Sequence, residues 1–208
     1  MKREKSDQIY QFKITLCGIQ PPIWRRIQVP GNYSFWDLHV AIQDAMGWLD
    51  YHLHVFRFEE GHKHKVAQIG IPGDEMDDDT FLPGWKIPMR DYFRDPGESA
   101  QYVYDFGDGW HHEILLEGVL LVEKGTKYPR CIGGQRACPP EDCGSVPGYY
   151  HLLEILQNPK HKEYKDFVYW LQGHAKNYHP YDPQEFEPEK VHFHNPKKRW
   201  KMAFSGKE

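Results

Sequence analysis

Three cysteines, Cys131, Cys138 and Cys143, with six and then four residues between them, are the residues of this sequence whose spacing best suggests a metal. Thiolates are good zinc ligands, and a loop without a core of its own needs a fastener. The four-residue interval fits zinc-ligand practice; the six-residue interval is looser. Zinc would need a fourth ligand from elsewhere in the chain. His112 is the first choice, with His52 and His54 behind it. The alternative is three free thiols packed in a loop rich in proline and glycine, since no second C-x2-C pair completes a zinc ribbon.

Carboxylates and imidazoles supply a second kind of chemistry. Asp105, Asp108 and His112 fall around one expected hairpin turn, where an acid–base pair or a metal could form at a common mouth. Asp-Gly is also a favoured turn, and that reading is preferred for Asp108. Glu141 and Asp142 lie between two of the cysteines. His52 and His54 are two apart on an expected strand, so they share a face and could chelate a metal or act as acid and base. The pairs His62/His64 and His192/His194 fall in a turn and a polar tail and are given no role. The acidic run Asp74, Glu75, Asp77, Asp78 and Asp79 lacks the spacing and glycine of a calcium loop and reads as solvated. Trp24, Arg25 and Arg26 form a basic-aromatic group that could stack on and pair with single-stranded nucleic acid. Neighbouring strand residues face opposite ways, so only one of the two arginines can share a surface with other partners.

The elements that must position these residues follow from periodicity. Gln8–Gly18 alternates, with Tyr10, Phe12, Ile14 and Leu16 on one face, and predicts a strand. Pro21-Pro22 punctuates it, and Ile23–Val29 predicts a hairpin partner. Ser34 caps a helix with Asp37 at its third position; Phe35, Leu38, Ile42, Ala45 and Leu49 form its stripe and Gly47 its stop. His52–Phe58, Lys65–Ile69, Gln101–Phe106 and Trp110–Val122 predict further strands, with turns at 59–62 and 107–109. The stretch 70–97 reads as irregular apart from a short helix near Lys86–Phe93. The stretch 123–148 has no period and reads as one long loop, and such loops are functional or pinned. Helices are expected at Tyr149–Gln157 and His161–Gln172.

This order gives an α+β protein with a mixed or mainly antiparallel sheet, opening with a ββα unit and closing with C-terminal helices, a β-grasp-like core being one option. A single domain over 1–208 is expected, with residues 1–7 and about 196–208 as flexible tails, the basic Lys197, Lys198, Arg199 and Lys201 among them. Seven Trp, 13 Tyr and 11 Phe in 208 residues are enough for a large core, which excludes a disordered chain. A net charge of −4 is no footprint for wrapping duplex DNA. No apolar run of about 18 residues predicts a membrane span. The N-terminus MKREKSDQIY has no apolar stretch of a signal peptide. A cytoplasmic location with reduced thiols is therefore expected. No P-loop, G-x-G-x-x-G, G-x-S-x-G or H-E-x-x-H is present.

Several segments together, ITLCGIQPPIWRRIQVP, HLHVF, YDFGDGWHH and YPRCIGGQRACPPEDCG, resemble the plasmid Ri open-reading-frame-three family, from about residue 8 to the helix at 161–172. That family carries insertion-element-passenger and resolvase-like labels and implies no reaction. A serine recombinase needs a nucleophilic Ser flanked by Arg and a DNA-binding helix pair, and neither is found here. The resemblance places weight on Trp24, Arg25, Arg26, His52, His54, Asp105, Asp108, Trp110, His112, Cys131, Cys138, Glu141, Asp142 and Cys143. The leading expectation is a binding or accessory module whose cysteine loop docks on the 104–112 hairpin, with zinc on Cys131, Cys138, Cys143 and His112. The alternatives are a metal-dependent hydrolase or nuclease using Asp105, His112 and Glu141 or Asp142, and a single-strand binder using Trp24 and one adjacent arginine.

Overall fold

The computed structural model describes residues 8–59, 67–72 and 81–204. An eight-stranded sheet runs in the order β5-β4-β3-β6-β7-β1-β2-β8. Its strands are β1 (Gln8–Leu16), β2 (Ile23–Pro30), β3 (His54–Phe58), β4 (Ala67–Gly70), β5 (Phe81–Pro83), β6 (Ser99–Tyr104), β7 (Trp110–Leu121) and β8 (Arg130–Gln135). All neighbours are antiparallel except β4 and β5, so the sheet is mixed and the protein α+β. A β-grasp core would set β1 parallel to a later strand; both its neighbours, β2 and β7, run antiparallel to it.

One face of the sheet is dry. Tyr10, Phe12, Ile14 and Leu16 of β1 are buried, while Gln11, Lys13 and Thr15 on the other face are only half-buried. The same period of two carries Trp110, His112, Ile114 and Leu116 of β7 inward. Against this face lies α1 (Phe35–Met46). Its expected cap is present: the Ser34 hydroxyl accepts from the Asp37 N–H, and the Asp37 carboxylate accepts from the Ser34 N–H. It ends at Gly47, whose φ of 86° is the left-handed conformation that a glycine adopts without strain.

Helix α1 is buried beyond its predicted stripe, because its outer side is covered as well. Trp36 packs edge-on against Trp200, at 5.1 Å between rings, and its Nε1 donates to the Pro196 carbonyl. These belong to α4 (Pro196–Phe204), in the segment expected as a flexible tail. Its Arg199 pairs with Asp44 at 3.1 Å and Asp50 at 3.3 Å. The low hydrophobicity of PKKRWKMAF hid a helix that needs only two aromatic residues, Trp200 and Phe204, to dock.

The long loop expected over 123–148 contains β8, which pairs with β2 through a register shift between Arg26 and Ile27. RCIGGQ carries no alternation because the ring of Phe186 closes over this edge. A Cβ at Gly134 would meet that ring at 2.2 Å. Two helices follow, α2 (Ser145–Gln157) and α3 (Tyr164–Gly173). A 3-10 turn at Met89–Asp91 replaces the short helix expected near 86–93. The expected turn at 59–62, apart from Glu59, and the acidic run 74–79 lie outside the described residues. No helix among the described residues is long and apolar enough to cross a membrane.

Candidate functional site

His52 and His54 part company because the strand begins only at His54. His52 sits in a bend before β3, so the period of two does not yet apply to it. His54 turns into the core and stacks on His39, ring centroids 3.4 Å apart. His39 is held between the Tyr102 hydroxyl at 2.8 Å and Asp50 Oδ1 at 2.7 Å, and Gln43 Nε2 also donates to Tyr102. Burial holds the His54 imidazole well below its ordinary pKa. This is a polar layer inside the core, closed to solvent.

His52 points the other way, toward two loops that are locked together. The first is the turn after β6. Asp105 adopts φ 57° there; its Oδ1 accepts from the N–H groups of Gly107 and Asp108, and its own N–H donates to the Leu53 carbonyl at 2.9 Å. The second is the loop 138–144, anchored by Glu141. That buried carboxylate accepts from the Leu49 N–H at 3.0 Å and from the Tyr104 hydroxyl, while the Glu141 N–H donates to Tyr178. Asp108 Oδ2 accepts from the Gly144 N–H at 3.1 Å and ties the loop to the turn. The cysteine loop thus does fold onto the 104–112 hairpin.

The two loops bring three ligand atoms together at the surface. His52 Nε2 lies 3.0 Å from Asp142 Oδ1 and 3.7 Å from Asp105 Oδ2. Among the described residues this is the one group of three or more His, Cys, Asp or Glu whose ligand atoms all fall within 4.8 Å. His52 Nε2 is screened from solvent yet makes no hydrogen bond, so Asp142 at 3.0 Å lies off its donor axis. Asp142, like Asp105, is held with φ positive, at 58°. This conformation is uncommon outside glycine but tolerated by Asp. On the far oxygen of Asp142, His174 approaches to 3.9 Å from the C-terminal end of α3. Tyr51, Leu53 and Phe106, which adjoin the ligands in sequence, are exposed at 61%, 51% and 47%.

The other sequence candidates are placed differently. Cys131, Cys138 and Cys143 do not gather within ligand distance with one another or with His112. Burial pushes the Cys138 thiol up to about 12 and raises those of Cys131 and Cys143. The zinc set expected from spacing is therefore not assembled; the loop is fastened by Glu141 and Asp108 instead. His112 is fully buried and donates from Nδ1 to the Trp110 carbonyl, while burial lowers its pKa to about 3. The pleat that carries Trp110 and Ile114 inward carries His112 with them, away from Asp105. Trp110 is buried too. Glu141 is an anchor within the core rather than a group open to substrate.

Arg25, 1% exposed, gives Nε to the Ala45 carbonyl and Nη1 to those of Trp24 and Gln135, and stacks on Phe186. Arg26 forms a two-pronged pair with Glu117. With one arginine inside and the other neutralised, Trp24 has no free cation from this pair beside it. Sequence reasoning named His52, Asp105 and Asp142 but in other partnerships, and it missed His174, which no local pattern marks.

Residues 8–190 match the family described as plasmid pRiA4b ORF-3-like protein. The uncharacterized protein y4hQ of Sinorhizobium fredii is 32% identical over 163 residues, 78% of this chain and 80% of that protein. A crystal structure of a protein of unknown function, MM3350 from Methanosarcina mazei Go1, superposes with a TM-score of 0.78 at 41% identity. It covers 90% of this chain and 99% of that one.

Proposed function

The chain is a member of the plasmid pRiA4b ORF-3-like family, and within it we propose a divalent-cation-binding module whose ligands are His52, Asp105 and Asp142. One observation carries this reading. A tetrahedral ion with bonds of about 2.1 Å separates its ligands by about 3.4 Å. The His52 separations of 3.0 and 3.7 Å bracket that value. The His52 Nε2 is shut off from water without a hydrogen bond, as are one nitrogen each of the buried His54 and His112. Of the three it alone has two carboxylates within 4 Å among the described residues, and that combination supports a ligand role. One nitrogen and two carboxylates suit zinc or manganese. Three protein ligands leave at least one coordination position for an outside oxygen.

Titration calorimetry of metal-stripped protein with zinc or manganese tests this. One ion per chain is expected, with binding lost in Asp142→Asn and in His52→Ala. Sub-stoichiometric binding, or binding unchanged in both variants, would sink the proposal.

A hydrolytic role is a second reading, favoured by His174. Its Nε2 lies 3.9 Å from the far oxygen of Asp142, and a cation held by His52, Asp105 and Asp142 would supply Lewis acidity beside which His174 would be the candidate general base. Under this reading a phosphodiester or ester substrate turns over with the cation present. His174→Gln loses turnover while cation affinity stays; no turnover in any cation leaves the binding reading alone.

A further inference from the structure

A second surface, on the far side of α1 from the sheet, collects charge of one sign beside accessible aromatic rings. A groove of about 650 Å3 runs between the start of α1, the segment 85–90 and α4. It is lined by Lys86, Arg90, Lys197 and Lys201, against one carboxylate, Asp37. That carboxylate is engaged in capping α1 through Ser34. None of the four cations has an ion-pair partner among the described residues. The Nε of Arg90 is buried without a hydrogen bond. Three lysines, with Arg90 shared between this groove and the adjoining pocket lined by Tyr10, Asp91 and Asp95, concentrate positive potential here on a chain whose net charge is −4.

The aromatic part is as specific as the charge. Trp85, 36% exposed, lies 4.7 Å from Trp200, and Trp200 rests on the buried Trp36. An indole backed by a second indole that is itself fixed to the core is a rigid platform. A flat ring could stack there at little entropic cost. Lys197 and Lys201 stand four apart on α4, so they share a face and line the groove together beside that platform.

We propose that this groove binds single-stranded nucleic acid, its bases stacking at Trp85 and its phosphodiester backbone following Lys86, Arg90, Lys197 and Lys201. Single strands fit better than duplex for two reasons. A stacking platform needs unpaired bases, and the remaining surface is net negative and repels an extended duplex. The interface differs from the Trp24 surface that the sequence suggested, and it does not depend on the cation site.

Fluorescence anisotropy of a labelled oligothymidylate of about 12 nucleotides, with chelator present so that the His52 site stays out of play, provides the test. Affinity should fall with salt at a log–log slope of about −0.7 for each phosphate engaged, or about −2 to −3 here. Lys197→Glu/Lys201→Glu should weaken binding more than tenfold; both lysines are exposed, so the fold is spared. Trp85→Ala should lower affinity about tenfold, in line with the loss of one base stack. No anisotropy change at low salt, equal affinity for a duplex of the same length, or affinity unchanged in the lysine variant would each overturn the proposal. A strand displaced by inorganic phosphate at matched ionic strength would overturn it in favour of a small-anion site.

Discussion

Two imidazoles separated by one residue end up in opposite worlds. His54 is stacked on His39 inside the core, beside a hydroxyl and an amide; His52 stands at the surface between two carboxylates. The core layer is held by His39, Tyr102 and the Gln43 amide nitrogen, leaves His54 Nδ1 and Gln43 Oε1 without a partner among the described residues, and is buried away from any carboxylate pair, so its polarity bears on packing. The surface cluster sits on loops tied by Glu141, Asp108 and Asp105 Oδ1, which leaves His52 Nε2, Asp105 Oδ2 and the Asp142 carboxylate facing one another. Polar residues of the same type are thus taken into the core where a neighbouring element closes over them, and stay within reach of solvent where two loops merely converge. Glu141 and Asp142 repeat the lesson in adjacent positions: one is tied to Leu49 and Tyr104, the other faces out.

The comparison breaks most visibly at its anchor. Glu141→Ala should cost about 4 kcal/mol in urea denaturation, since it orphans the Leu49 N–H and the Tyr104 hydroxyl and leaves a cavity. A cost below about 1 kcal/mol would mean that the loop is held some other way.

The buried side also sets a pH dependence. The folded His112 stays neutral down to about 3. An unfolded imidazole takes a proton below about 6.5. The unfolded chain therefore binds more protons in that window. The contribution of His112 is full above the unfolded value and falls away as pH drops toward the folded one. Between pH 7 and pH 5 the protein should lose about 2 kcal/mol more stability than a His112→Asn variant does. Parallel loss in both would place the acid sensitivity elsewhere.

At the surface cluster stability and binding should separate. Asp105→Ala removes two turn hydrogen bonds and should cost about 1 kcal/mol. The same change should weaken zinc or manganese by more than about 100-fold, because it deletes a ligand rather than a supporting group. His52→Ala should move the melting free energy by no more than about 0.5 kcal/mol and still remove the cation. A large stability loss there would make His52 a structural residue like His54 and erase the distinction.

Much of the frame was legible in local pattern. The alternation of β1, the Ser34–Asp37 cap and the Gly47 stop are each set by residues within one turn or one pleat of one another, so sequence spacing reports them directly. Strand β8 was not legible, because Gly134 is required by the ring of Phe186, far along the chain, and not by a period. Helix α4 was missed because its few apolar contacts are repaid by the outer face of α1. The site was half legible: its residues were named, but the cysteines were credited with holding a loop that Glu141 holds.

By itself the sequence determined the elements, their amphipathic faces and a short roster of residues able to bind or react, because these depend on neighbours along the chain. Only the tertiary structure decided which of that roster meet. The start of β3 fell between His52 and His54, the pleat turned His112 inward, and the docking of the 138–144 loop brought Asp142 beside Asp105. Each outcome rests on contacts between segments far apart in the chain, and one residue of phase is enough to move a side chain from solvent to core.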